Sequence, residues 1–144
     1  MTYKEMESLL CGYRWALEKQ LDLQNERDRW ISMAEKVTPS LSGMPGGGAT
    51  EGTRVETGAE AILELTQQLE KQIQACIAQR NQVEQLIEML DKDAHKNILR
   101  KLYINGFTWR EVVARTGYNA AYARTLKQQA IHRLCQIESE TKNL

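Results

Sequence analysis

The side chains best suited to chemistry in this sequence are cations, and they gather towards its C-terminus. Lys101, Arg110, Arg115, Arg124, Lys127 and Arg133 lie in one stretch, interleaved with Thr108, Asn119, Thr125 and Gln128. Arginine and lysine neutralise phosphates, and an arginine or an amide on a helix surface can pair with the edge of a base. Other chemistries find less support. His95 and His132 stand 37 residues apart, with Cys135 three after His132, which makes at most half a zinc site. No P-loop, GxGxxG or GxSxG motif occurs. The carboxylates fall on the expected solvent faces of long helices. No catalytic residue, metal or cofactor is expected, and the chain reads as a non-enzyme. Cys11, Cys76 and Cys135 are odd in number and form no CxxC pair, so they read as free thiols.

The charge balance sharpens this. The 144 residues include 19 basic and 19 acidic side chains, a formal net charge of zero. The zero hides a division, because residues 1–91 hold 9 basic and 15 acidic residues and residues 92–144 hold 10 and 4. A basic module on an acidic partner segment fits a protein that meets nucleic acid at one end. No apolar run approaches the ~18–20 residues that span a bilayer. The opening MTYKEMESLL lacks the basic-then-apolar layout of a signal peptide. No membrane partner and a cytoplasmic location are therefore expected.

Helices must position these cations, since the composition is rich in Leu, Gln, Glu, Lys and Ala, with prolines only at 39 and 45. Thr2 and Glu5 fit a capping box. Tyr3, Met6, Leu10, Tyr13 and Leu17 keep one helical stripe, with a polar middle at Gln20, Gln24 and Arg27 before Ile31 and Ala34. This helix is expected to stop at Thr38–Pro39. Residues 38–54, TPSLSGMPGGGATEGTR, read as a loop with Leu41 and Met44 as candidate apolar anchors. From Val55 to Leu90 the residues Ala59, Ile62, Thr66, Leu69, Ile73, Cys76, Arg80, Val83, Ile87 and Leu90 alternate by threes and fours. Two helices of similar length joined by one loop predict an antiparallel hairpin in which the polar positions face each other. A hairpin alone buries little core, so a homodimer or higher homo-oligomer is expected through it.

From Asp91 the pattern predicts three shorter helices. The first starts at Asp91 or Asp93 as cap, presents Ile98, Leu99, Leu102 and Tyr103, and ends at Asn105–Gly106. The second opens with the capping box Thr108-Trp109-Arg110-Glu111 and runs to about Arg115. Thr116-Gly117-Tyr118 makes a turn, and Asn119 caps the third, which runs to about Glu138. This is a helix-turn-helix spacing, with Val112, Val113, Tyr118, Ala123 and Leu126 inside. The fold class is all-α: a hairpin region at 1–90 and a helix-turn-helix domain at 91–144.

In that layout Ala120, Ala121, Arg124, Thr125, Lys127 and Gln128 face solvent early in the last helix. Arg124 is suited to guanine and Gln128 to adenine, with Ala120, Ala121 or the Thr125 methyl against thymine. Lys101, Thr108, Arg110, Arg115, Asn119, Lys127 and Arg133 are the candidate phosphate contacts.

The stretch from Leu99 to Leu134, LRKLYINGFTWREVVARTGYNAAYARTLKQQAIHRL, resembles region 4 of bacterial sigma factors. The chain as a whole is similar to small phage- and prophage-encoded sigma-like proteins of Gram-positive bacteria, with TPSLSGMPGGG at 38–48 as the most distinctive segment. The resemblance implies a regulator of phage late or lytic transcription, with double-stranded DNA and bacterial RNA polymerase as partners. Ala120 and Ala121 stand where region 4 usually carries Arg and Glu, which argues against a standard −35 target. Val113 and Ala123 exchange the usual core sizes. Two other readings fit the same layout: a small-terminase-like packaging subunit, and an interaction module that binds RNA polymerase without DNA.

Overall fold

The computed structural model describes residues 1–40 and 48–143, and among these the chain is helical with no strand. Five helices follow in order: α1 (Tyr3–Ser40), α2 (Gly48–Glu88), α3 (Asp93–Leu99), α4 (Trp109–Thr116) and α5 (Ala120–Lys142). A single π-helical turn, Arg100–Ile104, extends α3. None of the described helices is long and apolar enough to cross a membrane.

Local chemistry explains most of the boundaries. The predicted capping box at the start of α1 is formed, the Thr2 N–H donating to Glu5 Oε2 (3.3 Å) and the Glu5 N–H to Thr2 Oγ1 (3.2 Å). The expected stop at Thr38–Pro39 is corrected, since α1 runs through both residues to Ser40. Proline's fixed φ is helical, and near a C-terminus its missing N–H removes only one hydrogen bond. The expected loop at 38–54 is shorter than its composition suggested, because α2 begins at Gly48 and not at Val55. Glycine costs about 1 kcal/mol in a helix relative to alanine without forbidding it. The anchors Leu41 and Met44 lie outside the described residues. At α3 the cap is Lys92, which makes no side-chain cap bond, and neither aspartate serves as expected. Asp93 instead occupies the first turn, where its charge favours the helix dipole.

The chain forms two compact units, and they do not divide at residue 90. One comprises Met1–Ala16 with Cys76–Leu144, the other Leu17–Ala75. In the first, Met6 and Leu10 of α1 and Val83 and Ile87 of α2 share one core with Leu90, Ile98, Leu99, Tyr103, Val112, Ala123, Leu126, Ala130, Ile131 and Leu134. The beginning of α1 and the end of α2 are thus part of the same hydrophobic body as the C-terminal helices. Each helix alone is amphipathic and needs that shared interior. This unit carries 13 basic and 9 acidic residues.

The second unit carries 6 basic and 10 acidic residues. Here α1 and α2 lie antiparallel, and the expected meeting of polar positions is found: Arg27 Nε donates to Thr66 Oγ1 at 2.9 Å. The Thr66 hydroxyl donates in turn to the Ile62 carbonyl at 2.7 Å. Arg80, the other polar position, belongs to the first unit, where it lies over the Tyr13 ring and pairs with Glu84 (3.6 Å). Leu65 and Leu69 are buried in the second unit, whereas Leu21, Met33 and Leu63 are exposed.

Candidate nucleic-acid interface

Polar contacts fix both ends of α4 and the turn into α5, where the Thr116 hydroxyl donates to the Val112 carbonyl (2.6 Å) and accepts from the Tyr118 N–H (3.2 Å). Thr108 takes an extended backbone and caps α4, its Oγ1 accepting from the Glu111 N–H at 3.2 Å. Its hydroxyl donates to Glu111 Oε1 at 3.3 Å, so the acidic side chain of α4 is engaged at the cap. The helix ends at Gly117, which lies in the left-handed region (φ 76°) and donates its N–H to the Val113 carbonyl. Only glycine takes that conformation without a Cβ penalty. Asn119 then caps α5, its Oδ1 accepting from the Tyr122 N–H at 2.8 Å. Val112, Ala123 and Leu126 are buried at the junction, with Tyr118 half-buried beside them. Four of the five residues that the spacing assigned to the inside are therefore found there; the fifth, Val113, is only half-buried and lies outside this core.

The expected base-contacting positions Ala120, Ala121, Arg124, Thr125 and Gln128 are all exposed. Thr125 returns its hydroxyl proton to the Ala121 carbonyl at 3.0 Å. The two alanines make the start of α5 low, so another surface can come close to its backbone. The Arg124 guanidinium carbon lies 5.7 Å from the Trp109 ring centroid, and that of Arg115 lies 4.2 Å from the Phe107 ring. Both cations are thereby held by aromatic faces rather than by anions.

The expected phosphate contacts separate into two groups. Among the described residues, Arg110, Arg115 and Lys101 have no carboxylate within ion-pairing distance. Arg110 and Arg115 are exposed, and the Lys101 ammonium donates to Asn97 Oδ1 at 2.7 Å. Thr108 and Asn119 are exposed at the two helix starts, where backbone N–H groups also gather. Lys127 and Arg133 differ. Lys127, expected on the solvent face, is half-buried, with its Nζ 3.0 Å from Glu7 of α1 and 5.8 Å from the Trp109 ring. Arg133 lies between Asp91 (3.3 Å) and Glu140 (3.5 Å). Their charges are already answered within the chain.

Several contributors were not legible beforehand. Glu7 is more than a hundred residues from Lys127 in sequence, and no local signal joins them. Arg14 lies against Gly106, itself at φ 68°, so closely that a Cβ there would collide with the guanidinium. Tyr122, exposed beside the expected base-contacting positions, stacks edge-on against Tyr118 at 5.0 Å. The Tyr118–Tyr122 spacing of four was the one signal available for it.

Burial raises the Cys11 and Cys135 thiols above their usual range, with Glu7 adding to the effect at Cys11 and Glu138 at Cys135. That is the reverse of the shift that makes a reactive thiolate. Burial likewise holds the Tyr103 phenol far above its usual range, with Glu7 next in effect. Among the described residues no group of three His, Cys, Asp or Glu side chains could hold a metal ion. Comparison with known family models, curated proteins and solved structures returns no match.

Proposed function

We propose that this chain is a sequence-specific, double-stranded-DNA-binding regulator of transcription. In this reading α4, the Gly117 turn and α5 act as a helix-turn-helix, with the first half of α5 in the major groove. The observation that carries it is the sorting of charge. Among the described residues, Arg110, Arg115 and Arg124 are exposed around a capped turn without carboxylate partners, while Lys127 and Arg133, farther along α5, are neutralised internally. A surface that leaves only some of its cations unpaired, beside two alanines that permit close approach, suits a polyanion with a groove. Arg124 and Gln128 read base edges, and Arg110, Arg115 and Lys101 meet phosphates.

The second compact unit supplies assembly. Among its residues of described burial, Leu21, Met33 and Leu63 stand exposed, which favours pairing with a second copy. A dimer reads two half-sites separated by whole helical turns. The reading places the protein in a bacterial cytoplasm, acting at phage late or lytic promoters, where RNA polymerase is a further partner. Capture of fragmented host and phage DNA on the purified protein tests it. Enrichment of one site upstream of lysis or structural genes is expected, and uniform recovery of all fragments at every salt concentration refutes sequence-specific binding.

A further inference from the structure

Tyr122 stands out among the side chains around the turn. It is an aromatic residue left 47% exposed in the first turn of a capped helix, next to two alanines. Isolated exposed apolar residues are ordinary, but this one is held. Its ring meets Tyr118 edge-to-face, 5.0 Å between centroids and 83° between planes, and its backbone N–H is fixed by the Asn119 cap. The ring is thus ordered before any partner arrives, and its phenolic hydroxyl has no hydrogen-bond partner among the described residues. Along α5 the residue borders the row of Ala121 and Thr125 and lies outside the stripe of Arg124 and Gln128. A group at that border reaches the wall of a groove when the stripe occupies its floor.

We propose that Tyr122 is a phosphate-contacting residue, its hydroxyl donating to a backbone oxygen of the DNA strand that flanks α5. The proposal rests on the DNA-binding reading above and extends it to a residue with no charge. Tyrosine is among the side chains that make such contacts. The short side chains of Ala120 and Ala121 bring the duplex near enough for the taller ring to touch it, and the Tyr118 edge keeps the ring from rotating away. Because the donor is neutral, it displaces no condensed counterion. Its contribution therefore differs in kind from that of Arg110 or Arg115: affinity without salt dependence.

The test is binding of the full chain, wild type and Tyr122→Phe, to a labelled duplex that carries the captured site, over a series of salt concentrations. The phenylalanine ring preserves the stacking on Tyr118, and an unchanged circular dichroism melt verifies the fold. We expect Tyr122→Phe to bind roughly tenfold more weakly, the size of one hydrogen bond to a charged acceptor. The slope of log K against log salt should equal that of the wild type, whereas Arg110→Ala should lower it. Equal affinity of Tyr122→Phe and wild type overturns the proposal and leaves the DNA reading intact. A loss that vanishes in one salt regime, with a changed slope, also overturns it. Failure of the wild type itself to bind any duplex sinks the reading on which the proposal rests.

Discussion

Salt dependence separates the free cations from the internally paired ones. For duplex DNA, log K falls against log salt with a slope of about 0.9 for each phosphate that a cation neutralises. Lys101, Arg110 and Arg115 are the cations proposed to meet phosphates and, among the described residues, left without carboxylate partners. They predict a slope of about −2.7 per protomer and twice that for a dimer. Arg110→Ala should reduce it by about 0.9 per protomer, so that the penalty of this substitution shrinks three- to fourfold between about 50 and 200 mM salt. Arg133 has Asp91 at 3.3 Å and Glu140 at 3.5 Å, so its charge is offset before DNA arrives. Arg133→Ala should leave the slope unchanged, and its remaining effect on affinity should be screened over a Debye length of about 8 Å at physiological salt. Fluorescence anisotropy on one labelled duplex measures all three proteins. Equal slope losses for Arg133→Ala and Arg110→Ala would refute the sorting of cations by internal pairing, as would an Arg110→Ala slope identical to the wild type.

Other consequences concern the framework. Gly106→Ala should cost at least 1–2 kcal/mol in unfolding free energy, from the left-handed backbone alone, plus the displacement of Arg14. Gly117→Ala, at a similar φ but with nothing within 4 Å of its Cβ position, should cost only the backbone part. A smaller loss for Gly106→Ala than for Gly117→Ala in thermal melts would contradict this ordering. Leu126→Ala, which empties a buried site between α4 and α5, should cost about 2–5 kcal/mol in denaturant unfolding, and a loss below about 1 would contradict its burial. Trp109→Leu removes the ring under Arg124 and Lys127, and should relax base preference at the position that Arg124 is proposed to read, measured on duplexes with that base changed. Tyr103 gives a pH signature. Its folded pKa is raised by burial, so its contribution is complete below the unfolded value near 10.0 and declines as alkalinity increases beyond it. Tyr103→Phe should therefore lose less stability than the wild type between neutral pH and pH values above 10.0, and parallel losses would contradict that cause.

The sequence by itself determined the elements whose causes are local. The capping box at Thr2–Glu5, the Thr108 and Asn119 caps and the glycine turn at 117 depend on residues within a few positions of each other, and each is found, although at Thr108 the Glu111 carboxylate takes the hydroxyl proton and not the backbone N–H of a full capping box. Periodicity likewise placed Met6, Leu10, Val83, Ile87, Val112, Ala123 and Leu126 inside, because a stripe at helical spacing has only one face to bury. Composition was a poorer guide at 38–54, where glycine and proline weaken a helix without ending it, and at α3, where two aspartates competed for one cap. Only the tertiary structure decided that the ends of the hairpin share a core with the C-terminal helices, and that Glu7 answers Lys127 while Arg110 and Arg115 have no carboxylate beside them among the described residues. Those pairings join residues far apart along the chain, and no local preference encodes them. The sequence placed ten cations in residues 92–144, and packing paired some of them, Lys127 and Arg133 among them, with carboxylates elsewhere in the chain.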